Sequence, residues 1–292
     1  MLSLGAIVVV VLSSSLHFHQ FGEPSRMARD AGLSALLVFG FLYSVFCTIK
    51  VFRREIESGT LQMALSHPIS RTGFFFCKVI GAVLSFLVFA LTVFGVVRMF
   101  VVGAETGYWI SYVKGDIALI WMAAVYMAAA VVAVPLLIGA ALDRFAHCRF
   151  TTTATWSALI CSWIGCLTLC GMAPGRIAEL AEKYPLVADA DLFGSAARLV
   201  PAAVSVVLTA PVYSLAAAAF AVKFKDNVAA ALSGLVFLLS VPALSGYYLS
   251  DALANGGTVS WWYVAAAWSA TLPFLVAFSV MGLMFFKDRD VG

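Results

Sequence analysis

Between Phe74 and Val102 the chain runs through an apolar stretch in which Lys78 and Arg98 are the only charges. Folded as a helix at about 1.5 Å per residue, such a run is longer than the roughly 30 Å hydrocarbon core of a bilayer. Further apolar runs occupy Leu2–Leu16, Ala31–Ile49, Ile117–Leu142, Thr151–Met172, Pro201–Val222, Val228–Ser250 and Ser260–Phe286. In lipid no water satisfies backbone amides and carbonyls, so a spanning segment must be a helix or part of a closed barrel. A barrel would need apolar and polar residues alternating over about ten positions, and that alternation is missing. Charged residues make up 11% of the chain, under half the roughly 25% that wets a soluble surface. The chain is therefore read as all-α, a polytopic transmembrane helix bundle of six to eight spans in a single domain over residues 1–292.

The runs differ in quality. Leu2–Leu16 is short for a span, lacks the basic segment of a signal peptide, and reads as a first span that is either short or cut by a start codon placed too late. The third and last runs exceed a perpendicular crossing and are expected to tilt or to run past the membrane. With the N-terminus inside, the inner segments hold Lys50, Arg53, Arg54, Arg71, Lys78, Arg144, Arg149, Lys223, Lys225, Lys287 and Arg289. The outer ones hold Arg26, Arg29, Lys114, Arg176, Lys183 and Arg198, and Arg98 near the outer end of its span is placed to snorkel. This bias follows the positive-inside rule and puts both termini in the cytoplasm. Tyr108, Trp109, Tyr112, Tyr247, Tyr248, Trp261, Trp262 and Tyr263 would mark the outer headgroup level. An outer amphipathic segment, residues 174–200, has helical spacing at Ile177, Leu180, Ala181 and Tyr184 before Pro185; an interfacial helix and an exposed loop both fit it.

The spans carry little chemistry. Their cores contain no Asp, Glu or His, the groups that carry protons or bind coupling ions in secondary transporters and pumps. His17, His19, His67 and His147 are scattered through loops. The His17–His19 pair and the Cys166–Cys170 spacing read as interfacial and packing residues in preference to a metal site. No catalytic residue, cofactor, metal or nucleic-acid partner is expected. No GxxxxGK[ST] phosphate loop is present, so energy for any transport must come from another subunit.

The segment between spans two and three, residues 50–73, is the one long inner loop. Arg53, Arg54, Glu55 and Glu57 form a mixed-charge cluster at its start. Gly59 permits a tight bend, and Thr60 is a competent N-cap. Leu61 to Ser66 then predicts a short helix with Leu61, Ala64 and Leu65 on one side. Pro68 ends it, because His67 before a proline avoids the α region. Ser70 or Thr72 caps the next helix. A helix that only connects two spans and a helix that seats on a partner protein fit these residues equally well.

Glu-Ile-Glu-Ser-Gly-Thr-Leu (55–61), Leu65-Ser-His-Pro-Ile-Ser-Arg71 and Lys78-Val-Ile-Gly81 resemble, in order and spacing, the corresponding loop of ABC type-2 transporter permeases. There E-x-E-x-G-T-L-E precedes L-L-S-x-P-[VI]-S-R and G-K-x-x-G. The closing Phe285-Phe-Lys-Asp-Arg-Asp-Val291 is similar to the family's final F-x-x-R-D-[ILV]. Within the family the likeness is to permeases grouped with the nitrous-oxide-reductase maturation transporter. It covers about the first ninety residues and the end; the middle matches in hydrophobicity alone. Gln62 and Cys77 depart from the pattern, there is no room before span one for the family's basic amphipathic helix, and six spans are usual there. Either 173–250 adds a pair, or two runs are re-entrant.

The resemblance implies a permease subunit of an ATP-driven ABC transporter, an exporter in a prokaryotic cytoplasmic (inner) membrane. It would pair with a second permease copy or a related permease, above a cytoplasmic ABC ATPase dimer. Glu55, Glu57, Gly59, Thr60, Leu61, Leu65, Pro68, Ser70 and Arg71 would couple it to the ATPase, with Leu61 and Leu65 as apolar anchors. The alternative is a non-transporting membrane anchor or scaffold.

Overall fold

The computed structural model of the protein describes residues 5–10, 24–58, 70–114, 117–146, 149–184, 192–244 and 259–287. Of the structure described, 95% is helical and none is strand. The long helices are α1 (Pro24–Glu57), α2 (Arg71–Lys114), α3 (Ile117–Ala146), α4 (Phe150–Lys183), α5 (Leu192–Val207), α6 (Ala210–Lys223), α7 (Asp226–Leu244) and α8 (Trp261–Lys287). They cover the expected runs from Ala31 onward, Val228–Ser250 as far as Leu244 with 245–250 outside the described residues, and residues 5–10 within the first run are also helical. The short helix expected at Thr60–Ser66 lies outside the described residues.

Among the described residues, five helical stretches are long and apolar enough to cross a bilayer: Arg29–Glu57, Arg71–Thr106, Phe150–Met172, Leu199–Lys223 and Trp261–Lys287. The apolar part of α7, Asp226–Ser240, is shorter. Trp261–Lys287 is 27 residues long, about 40 Å of helix. It has Trp261 and Trp262 exposed at one end and Lys287 at the other. Aromatic and basic anchors at that separation match a bilayer with its headgroups.

Two boundaries differ from the sequence reading. The helix begun at Phe150 continues through Pro174 to Lys183 and stops before Pro185. Residues 174–183 are thus the end of α4, and 192–200 belong to α5. The run Pro201–Val222 is broken at Leu208–Thr209. Pro211 has no amide to donate to the carbonyl four residues back. The chain tightens instead, with Thr209 N donating to the Val206 carbonyl at 3.2 Å and its hydroxyl donating to the same oxygen at 2.7 Å. The helix restarts with proline in its first turn, where no partner is needed.

The helices form two compact units, Met1–Phe39 with Val88–Ala203, and Gly40–Leu87 with Val204–Gly292. In the first unit α3 packs along α4. The Ser157 hydroxyl donates to the Ala154 carbonyl at 3.1 Å and to the Pro135 carbonyl at 3.4 Å. Gly32 lets α1 touch α2 closely: a Cβ there would lie 2.4 and 2.6 Å from the two methyls of buried Val97.

The second unit is built around α6, whose Ala216–Ala219 run is fully buried. Lipid tails are as apolar as leucine, so close packing rather than escape from water holds such helices together, and small side chains permit it. Both α7 and α8 pack on α6. Phe41 stacks on Phe237 at 4.2 Å and meets Tyr213 edge-on at 5.3 Å. At about 0.5–1.5 kcal/mol per ring pair, these contacts match or outweigh the Tyr213–Ser240 hydroxyl bond of 2.9 Å, of a kind worth about 0.6 kcal/mol in membranes. Phe75 forms the other focus, fully buried between Phe52 at 5.5 Å and Phe286 at 6.0 Å.

Candidate functional site

The charged residues described in the second unit gather at one end of it. They are Lys50, Arg53, Arg54, Glu55 and Glu57 on α1, Arg71 and Lys78 on α2, Lys223 closing α6, Lys225, Asp226 opening α7, and Lys287 closing α8. Cations outnumber carboxylates. The opposite end of α8 carries Trp261, Trp262 and Tyr263 and no charge. An uncharged bundle with one basic end is what lipid permits, because ionised groups stay where water reaches them.

Specific pairs tie these helix ends together. Glu55 Oε1 accepts from Lys78 Nζ at 2.8 Å, with side chains 25% and 30% exposed, so the pair fastens α1 to α2 in a half-dry setting. Lys78 Nζ also lies 5.2 Å from the centre of the Phe74 ring. Arg53 reaches Asp226 at 2.9 Å and Glu57 at 3.3 Å, linking α1 to the first turn of α7. There the carboxylate of Asp226 also complements the helix dipole. Ser70 caps α2: its hydroxyl accepts the Gly73 amide at 3.1 Å, as expected of an N-cap. Arg71 Nη1 donates to the Lys287 carbonyl at 3.3 Å. That carbonyl is in the last turn of α8, where it has no intrahelical partner. Phe74 and Phe75 both pack on Phe286, and Lys223 Nζ sits 4.4 Å above the Phe285 ring.

Of the residues singled out in the sequence, Glu55, Glu57, Ser70 and Arg71 stand at this end. Gly59, Thr60, Leu61, Leu65 and Pro68 lie outside the described residues. Glu57 contacts Arg53 and not Lys78. Sequence reasoning passed over Asp226, whose only local mark is a lone carboxylate in Lys-Phe-Lys-Asp-Asn between two apolar runs. It also left Lys78 out of the site, although that residue is the partner of Glu55. A cavity of about 800 Å³ opens beside the Arg53–Asp226 pair, lined by Phe46, Ile49, Lys50, Arg53, Arg54 and Asp226 among others.

The Glu55–Lys78 pair is measurable. Removing one partner of a partly buried, charge-assisted pair typically costs about 1–3 kcal/mol. Lys78→Met is expected to lower thermal stability by about that much in detergent, followed by tryptophan fluorescence. A double-mutant cycle with Glu55→Gln should return a coupling of about 1 kcal/mol; additive effects would show that the two side chains do not support one another.

No family model matches this chain, and no curated protein or solved structure matches it either.

Proposed function

We propose that this chain is the membrane-spanning permease subunit of an ATP-driven ABC type-2 transporter, coupled to separate ATPase subunits through residues 50–73. The observation that carries the reading is the meeting of Arg71 with the Lys287 carbonyl and of Phe74 and Phe75 with Phe286. The motif residues that resemble the family come from opposite ends of the chain, and they converge at one basic helix end. The Glu55–Lys78 pair at the same end makes the flanks of the loop a firm base. A force applied to the loop would then be passed to α1 and α2 together.

On this reading the basic end faces the cytoplasm, both termini lie inside, and six to eight spans sit in a prokaryotic inner membrane beside a second permease. The loop carries a short coupling helix that seats its Leu61 and Leu65 face in a cleft of the ATPase. Nucleotide-driven closure of the ATPase pair shifts the permease between two states. The chain itself hydrolyses nothing. Affinity-tagged chain isolated from its native membranes in mild detergent should retain a subunit with Walker motifs. Retention of partners that all lack an ATPase fold would leave the scaffold reading in its place.

A further inference from the structure

The cavity beside Arg53 has a chemistry that nucleotide coupling does not require. Phe46, Lys50 and Arg54 follow one another at four-residue spacing, so they form a single stripe on α1. All three are exposed, Phe46 to 51%. The stripe covers about 12 Å of helix, apolar at Phe46 and Ile49 and cationic at Lys50 and Arg54. Within the same lining Asp226 and Glu57 hold Arg53, and Asn227 adds a neutral amide. The charged lining is thus Lys50, Arg53 and Arg54 against Glu57 and Asp226, which leaves one positive charge. Neither Lys50 nor Arg54 has an ion pair with any described residue.

We propose that this cavity binds the headgroup of a singly charged anionic glycerophospholipid, with the phosphate between Lys50 and Arg54 and the upper acyl chain against Phe46 and Ile49. The volume, about 800 Å³, holds a phosphoglycerol group with the first part of its chains. Basic pockets between helices at a membrane surface bind such headgroups. The apolar floor at Phe46 and Ile49 selects a lipid over a free anion. Arg53, already held by two carboxylates, shapes the wall, and the single net charge of the lining matches one phosphodiester. A lipid seated here would rest on α1 and on the start of α7.

The full chain purified in a neutral detergent provides the test, with bound lipid counted by native mass spectrometry during titration. Dioleoyl phosphatidylglycerol should bind saturably, and dioleoyl phosphatidylcholine much more weakly. The double variant Lys50→Gln/Arg54→Gln should weaken phosphatidylglycerol binding roughly twenty-five-fold, each basic side chain near an anionic headgroup contributing about fivefold. Lys183→Gln, in the other unit, should leave it unchanged. A photoreactive phosphatidylglycerol should label the unaltered chain within residues 46–58, a result independent of how the variants fold. Equal binding of the two lipids, competition by millimolar inorganic phosphate alone, full affinity in the double variant, or labelling elsewhere would each overturn the proposal.

Discussion

Replacing Leu61 and Leu65 together with Asp is expected to abolish co-purification of an ATPase with this chain while leaving membrane insertion unchanged. In the helix proposed for Leu61–Ser66 the two leucines, four residues apart, would share a face. Each buried leucine contributes about 1.5–3 kcal/mol to a protein contact, and an unpaired carboxylate in the same place costs further. Together the substitutions remove on the order of 5 kcal/mol, a loss of more than a thousandfold in affinity. Insertion depends on the apolar runs, which are untouched. The measurement is the amount of ATPase retained per tagged chain after gel filtration. Undiminished retention would take the loop out of the interface.

Gly282→Leu is expected to have the largest effect on folding. A Cβ at Gly282 would sit 2.6 Å from Phe75 Cζ and 3.4 Å from the Ala219 Cβ. Alanine would gain up to about 1 kcal/mol in helix propensity over glycine, but the Phe75 ring that would have to yield is completely buried. Leucine adds further carbons into the same gap, and overpacking of that size costs about 3 kcal/mol. The contact joins α8, α2 and α6, so the expected result is loss of the monodisperse species by size exclusion and a sharply lower melting temperature. Adding Phe75→Ala should make the leucine less harmful than in the single variant. A normal melting temperature for Gly282→Leu would mean that the three helices do not meet so closely.

The spans were legible because hydropathy is a local property. Phe74–Val102 and Ser260–Phe286 need only their own composition to be read as membrane helices, and the structure places α2 and α8 over them. The Ala/Val-rich run Pro201–Val222 is, with Leu2–Leu16, one of the two weakest spans by sequence, and it is the most enclosed of the five described stretches. Of an apolar 18-residue window within Leu199–Lys223 67% is buried, against 17% of one within Trp261–Lys287. The reason is physical: alanine is a weak lipid-facing residue but suits a helix packed on all sides by protein. The break at Leu208–Thr209 was written in Pro211, yet composition over a long window hides a single missing amide.

Pairing was not legible in the same way. Glu55 was singled out by its motif, but its partner Lys78 lies on the next helix. Arg71 and Lys287 are 216 residues apart. A single sequence holds no signal for such contacts, which depend on how helices are arranged. Asp226 was missed for the same cause, since one carboxylate at a helix start usually serves the helix dipole and nothing more. The cap was narrowed to Ser70 or Thr72 because capping is short-range, and the structure shows Ser70.

ATP hydrolysis by the ATPase proposed as partner, reconstituted in liposomes with and without this chain, is the most direct measurement of the proposed coupling. Hydrolysis should change severalfold when the chain is present, and the change should vanish in the Leu61→Asp/Leu65→Asp variant. Hydrolysis indifferent to the chain would contradict a permease role and leave a membrane scaffold.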